Sequence, residues 1–142
     1  MVHLELHFEH PACNIFYNKD LHAVHTVWKG SFVKDETLKN ILNDIINLLV
    51  LKKTGALMAD TRLMQEITEP DEEWIVKDWY PRALAAGFSS EALLVSKATF
   101  NEVTIKQVVS KYDDGQVTTA YFQTYNEAES WLRAQTLNDE KK

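Results

Sequence analysis

A chain of 142 residues with 45% hydrophobic and 25% charged side chains has the make-up of one folded domain, which excludes a disordered polymer. Its net charge of −6 argues against non-specific association with nucleic acid or an anionic membrane, both of which need a basic face. One cysteine, Cys13, excludes an internal disulfide and suits a reducing, cytoplasmic setting.

The opening residues MVHLELHFEH have neither a basic start nor an unbroken apolar run, so they do not read as a signal peptide. Val2, Leu4, Leu6 and Phe8 alternate with His3, Glu5, His7 and Glu9. Period two predicts a strand with one buried and one wet face, an N-terminal extra within residues 1–12 that Pro11 ends. Two further strands follow at 15–17 and 23–28, separated by the turn residues Asn18, Lys19 and Asp20, and Gly30 closes this portion.

Asp35 is placed to cap a long helix, with Glu36 matched to the helix dipole. Leu38, Ile41, Leu42, Ile45, Ile46, Leu48 and Leu49 recur at helical spacing and form a wide apolar stripe. Asn43, Asp44 and Asn47 interrupt that run, which is also too short to span a bilayer. Lys52 and Lys53 occupy the last turn, and Gly55 is expected to supply a left-handed stop.

Ala56, Leu57, Met58 and Ala59 then read as a buried strand that delivers Asp60 at its carboxyl end. Thr68, Glu69, Pro70 and Asp71 resemble a capping box, or Pro70 marks the first helical position. The helix carrying Trp74, Ile75 and Trp79 meets Pro81, which must kink or restart it, and Gly87 closes it. Residues 92–95 read as another buried strand. Residues 103–111, with Ile105, Val108 and Val109 on one side, suit a short helix, although their β-branched side chains leave a strand open. Asp113, Asp114 and Gly115 form a turn before a strand at 117–122. Thr124 and Glu127 make a capping box for a last helix carrying Ala128, Trp131 and Leu132, with a fraying tail from 136 to 142.

Strands first, then alternating helices and strands, imply a single α/β domain without linker or repeat. The sheet should be mixed, of about five to six strands, with a parallel centre, antiparallel N-terminal strands and about four flanking helices. In such sheets ligands and partners dock at the carboxyl ends of central strands, here the loop after Asp60.

The stretch from Ala56 to Asp60, Thr61 and Arg62, the residues Trp74, Trp79, Tyr80, Pro81 and Arg82, Gly87, and the closing Phe122, Ala128, Trp131 and Leu132 resemble a known family. It is that of the SpoIIAA-like, or STAS/CRAL-TRIO-like, small bacterial proteins (STAS denotes sulfate transporter and anti-sigma-factor antagonist). The resemblance implies a mixed sheet with helices and a non-enzymatic, regulatory role through a protein partner or a second copy as a homodimer. Its CRAL-TRIO side implies, as an alternative, a carrier of a small hydrophobic molecule or lipid. Anti-sigma antagonists carry an Asp-Ser-Ser-Gly motif with a phosphorylated serine at the matching helix start. Here Met64 to Asp71 contain neither serine nor glycine, and Thr68 alone offers a hydroxyl, flanked by Glu69, Asp71, Glu72 and Glu73 that would repel a phosphate. Thr68 is therefore either a modification site or simply an N-cap.

Asp60, Thr61 and Arg62 either bind a ligand or anchor their own turn. Together with Thr68, Trp74, Trp79 and Arg82 they make up the candidate binding surface, on which one ring left partly exposed would suit a partner. His3 and His7 share a strand face with Glu5 and Glu9, which allows a metal-dependent enzyme as a third reading, but their spacing matches no zinc motif and a wet strand face accounts for them. Cys13 has no histidine at a catalytic spacing, and no nucleophile elbow or glycine-rich phosphate loop is present. The reading is thus of a domain with neither catalytic residues nor cofactor.

Overall fold

Each strand of the sheet pairs with its neighbour in sequence. In a computed structural model, which describes residues 3–29, 37–64, 67–97 and 101–140, six strands stand in the order β1-β2-β3-β4-β5-β6. They are β1 (Leu4–His10), β2 (Cys13–Asn18), β3 (Ala23–Trp28), β4 (Ala56–Asp60), β5 (Ser90–Leu94) and β6 (Thr118–Phe122). β1, β2 and β3 pair antiparallel, and β3 to β6 pair parallel. The expected mixed α/β sheet is therefore the observed one. Asp35, with Glu36, Val2 and Gly30, lies outside the described residues.

The connections explain where the core sits. Helix α1 (Thr37–Lys52) joins β3 to β4, a broken helix joins β4 to β5, and α4 (Asn101–Tyr112) joins β5 to β6. Parallel crossovers of one hand, stepping across a sheet in one direction, all fall on the same face. That face carries Ile15, Val24, Leu57, Ala59 and Leu93, packed against Leu38, Ile41, Ile45, Ile75, Trp79, Ile105 and Val109 of the three helices. The other face, with Ala23, Ala56, Met58, Ala92 and Leu94, is covered by α5 (Tyr125–Glu140) through Ala128 and Leu132. Small residues predominate there because one helix must lie close to the strands. No helix among the described residues is long and apolar enough to cross a membrane.

The broken helix consists of α2 (Glu69–Trp74), a π-helical turn (Ile75–Trp79) and α3 (Tyr80–Ala85). Pro81 has no N–H to donate, and the wider turn just before it absorbs that loss while the chain stays helical. Thr68 is the N-cap, its hydroxyl accepting from the Asp71 N–H, and Pro70 falls in the first turn. At the expected capping box the Thr124 hydroxyl accepts from the Glu127 N–H at 3.3 Å and donates to the Glu127 carboxylate at 2.8 Å. The segment with Ile105 and Val108 is helical, as its periodicity favours. Helix α5 runs on to Glu140, past the point where a fraying tail was expected.

Two local expectations are corrected. The left-handed residue after α1 is Lys53, at φ 54°, whereas Gly55 has no positive φ. Gly55 is needed for another reason: a β-carbon there would lie 2.0 Å from the Gly87 carbonyl oxygen. The apolar residues of β1 also do not share one buried face. The register slips between Leu6 and Phe8, so Phe8 turns onto the face under the three crossover helices while Leu4 and Leu6 remain 40% and 50% exposed on the other. A one-residue bulge transfers every following side chain to the opposite side.

Candidate functional site

The three crossover helices do not close completely on the sheet. Between them lies a cavity of about 70 Å³, lined chiefly by apolar side chains including Trp28, Ile45, Leu57, Ala59, Trp79 and Ile105. Four polar residues reach it: Thr26 and Glu91 from the sheet, Thr61 just past β4, and Tyr112 from the end of α4.

Glu91 is the group that sequence reasoning missed. It is the second residue of β5, just ahead of the apolar run read from residue 92, and it is only 4% exposed. The signal was parity. Residues 91, 93 and 95 point to one face, and Leu93 and Val95 belong to the helix-covered core. Register places Glu91 beside Leu57 on one side and Thr119 on the other.

The Tyr112 hydroxyl donates to the Glu91 carboxyl, 3.0 Å from Oε2 and 3.2 Å from Oε1, and Thr119 Oγ1 lies 3.4 Å from Oε2. Burial pushes the carboxyl up to about 7, with Asp113 adding to the rise and the Tyr112 and Thr119 hydroxyls opposing it. Burial likewise drives the Tyr112 phenol well above its ordinary range, and the neighbouring Glu91 carboxyl adds to the rise. The ring of Tyr112 packs on Tyr80, centroids 4.9 Å apart, and Tyr80 Oη donates to Asp114 Oδ1 at 2.7 Å. Among the described residues Thr26 Oγ1, fully buried on β3, has no hydrogen-bond partner.

The residues expected to form a surface are divided by the structure. Trp79 is a cavity wall, 3% exposed, with its indole N–H donating to the Leu42 carbonyl of α1 at 2.7 Å. Thr61 is buried and ties β4 to β5, its hydroxyl donating to the Leu94 carbonyl at 2.7 Å. Asp60 and Arg62 bond each other, Nε to Oδ1 at 2.9 Å and Nη2 to Oδ2 at 2.8 Å. Burial opposes the Asp60 charge, but the Arg62 guanidinium outweighs it and holds the carboxyl below its ordinary range. Trp74 is partly buried, with Lys39 and Arg82 each over its ring, and Arg82 also reaches Asn43 and Asp78. Of the seven residues proposed, Thr61 and Trp79 line the cavity and the other five lie outside its lining.

Three of the histidines pair with carboxylates. His3 meets Asp20, His7 meets Glu5 and His10 meets Asp44, at 3.0, 2.9 and 2.9 Å. Among the described residues no three His, Cys, Asp or Glu side chains gather as a metal site requires. His25 is instead buried on the α5-covered face, stacked on Tyr125 at 5.8 Å with Phe16 at its edge, and burial pushes it down to about 4 against the pull of Asp60. Cys13 is fully buried and its thiol is pushed up to about 12 by desolvation, so it makes a poor nucleophile.

Comparison with family models, with curated proteins and with solved structures yields no match.

Proposed function

We propose that this chain is a non-enzymatic binding domain that takes a small, mostly apolar molecule into the space between its sheet and its three crossover helices. The observation that carries this reading is the cavity itself, apolar walls with a few convergent polar groups, the usual composition of a ligand site. It lies beneath α1 and the broken helix, where a carrier of the CRAL-TRIO type would hold its cargo. At about 70 Å³ it suits a molecule of a few heavy atoms, since an engineered apolar cavity of about 150 Å³ accommodates benzene. A larger guest requires the helices to move apart, and the π-helical turn, whose Ile75 and Trp79 line the cavity, is the irregular segment of the broken helix.

Trp28 and Trp79 line the cavity and report on it directly. Titration with n-propanol is expected to change their fluorescence saturably. Ala59→Leu, which fills the space from the strand side, is expected to abolish the change while leaving the fold intact by circular dichroism. A linear response, equal in both proteins, would reject the reading.

A second reading, a protein partner, has one observation in its favour. Leu63 is 73% exposed in the turn that the Asp60–Arg62 pair braces, at the carboxyl end of a central strand. In that reading the domain works as a cytoplasmic, STAS-like regulator, and Leu63→Ser is expected to release the partner or second copy from the complex in size-exclusion chromatography with light scattering. A wild-type chain that runs as a strict monomer with no partner would count against it.

A further inference from the structure

The cavity has a chemical polarity that its volume alone does not convey. Its lining contains one carboxyl group, Glu91, and no lysine, arginine or histidine. Among the described residues Glu91 forms no ion pair; its hydrogen-bond partners are the hydroxyls of Tyr112 and Thr119. A carboxylate buried in this way lacks the opposite charge that normally compensates for lost hydration. It retains acceptor capacity, since a carboxylate has about four lone-pair sites and two hydroxyls occupy only part of them.

The rest of the room points the same way. Thr26 lies in register with Ala59 and Leu93, one side-chain row beyond the row of Leu57 and Glu91 and two strands away. Strand spacing then separates the Thr26 and Glu91 α-carbons by about 12 Å, with apolar wall between them. The unpartnered Thr26 hydroxyl is therefore the far polar end of the cavity, and Glu91 is its charged end.

Resting on the ligand-binding reading above, we infer that the molecule bound here is a small alkylamine whose ammonium group pairs with the Glu91 carboxylate and whose hydrocarbon lies among Leu57, Ile105 and Val109. An ammonium supplies donors to the free lone pairs and the missing counter-charge together. Coulombic attraction at such a site is several-fold stronger than in water. A carboxylate ligand meets like charge from Glu91 and, nearby, from Asp113. A neutral alcohol fits the space but brings no charge.

Three probes of one size and different head groups separate these cases: n-propylamine, n-propanol and propionate, titrated at pH 7.5 and constant ionic strength into the full chain. Binding is read from backbone amide shifts. The wild type is expected to bind propylamine at least tenfold more tightly than propanol and to show no saturable shift with propionate. In Glu91→Gln, which keeps an acceptor for Tyr112, the preference for the amine is expected to fall at least tenfold while propanol is held as before. Equal affinity for propylamine and propanol overturns the head-group inference and leaves the cavity as a binding site. Saturation by propionate in preference to the amine overturns it too. No saturable shift with any of the three overturns both. The ranking of the probes on the wild type decides the matter even if Glu91→Gln does not fold.

Discussion

The Gly87 carbonyl rests against the α-carbon of Gly55, so near that a β-carbon on Gly55 would stand 2.0 Å from the oxygen. The Gly55 carbonyl in turn accepts from the N–H groups of Ser89 and Ser90, at 2.8 and 3.1 Å. The entries to β4 and β5 are thus joined backbone to backbone. Gly55→Ala is expected to destabilise the fold by more than about 4 kcal/mol, in the range reserved for a forced backbone clash. Gly87→Ala has open space around its new methyl but keeps a φ of +103°, and is expected to cost about 1–2 kcal/mol. Urea midpoints of the two variants should fall in that order, and equal losses would contradict the close approach.

Glu91 and His25 lie on opposite faces of the sheet, and their linkages to folding run in opposite directions. Glu91 is raised from 4.5 to about 7 in the fold, so the stability associated with its neutral form is present below pH 4.5 and lost as pH rises to 7. His25 is depressed from 6.5 to about 4, so its contribution is present above pH 6.5 and lost as pH falls to 4. Each shift corresponds to about 3 kcal/mol, and between about pH 4.5 and 6.5 the two slopes cancel. The wild type should therefore show nearly constant stability across that window in denaturant titrations. Glu91→Gln should grow more stable by about 3 kcal/mol from pH 4.5 to 6.5, and His25→Phe less stable by a similar amount. Variants that stay flat would show that neither group is buried as described.

The Tyr112 hydroxyl both stabilises the Glu91 carboxylate and holds its titration down. Removing it in Tyr112→Phe takes away a donor at 3.0 Å and leaves burial unopposed except by Thr119. The Glu91 carboxyl should then titrate above 7, followed by carbon-13 NMR of its side chain. At pH 8 the variant should lose about 1.5–3 kcal/mol, the usual worth of a hydrogen bond to a charged group. At pH 5, where Glu91 is protonated in either protein, the loss should shrink.

Thr68 caps α2 through its hydroxyl, 3.4 Å from the Asp71 nitrogen. Thr68→Ala should cost about 1 kcal/mol and Thr68→Ser almost nothing, measured by thermal melting. A hydroxyl whose work is capping needs no modification to explain its place.

What could be read from the residues follows from which interactions are local. The stripe from Leu38 to Leu49, the apolar run ending at Asp60 and the Thr124–Glu127 box each declare themselves within a few residues, and each element stands where its pattern put it. The slip at Leu6 and Phe8 cannot be seen in a period-two pattern, because it depends on β2 offering one residue where β1 offers two. Gly55 looked like a helix stop because glycine after a helix usually is one, whereas its constraint comes from Gly87, far along the chain. The place of Glu91 in the cavity escaped for the same reason. Glu91 and Tyr112 meet across 21 residues, and only the return of α4 over the sheet brings the hydroxyl to the carboxyl. Trp79, included in the candidate binding surface, is a cavity wall whose indole N–H reaches the Leu42 carbonyl, a contact across 37 residues.

That α5 alone among the described helices covers the second face has a consequence for synthesis. Because each strand pairs with the one just made, the sheet can assemble as the chain leaves the ribosome, from β1 onward. The strip of Ala23, Ala56, Met58, Ala92 and Leu94 has no cover until Ala128 and Leu132 follow. A nascent or prematurely terminated chain ending near Phe122 would present that strip as a sticky surface for chaperones, with the cavity already roofed on the other side.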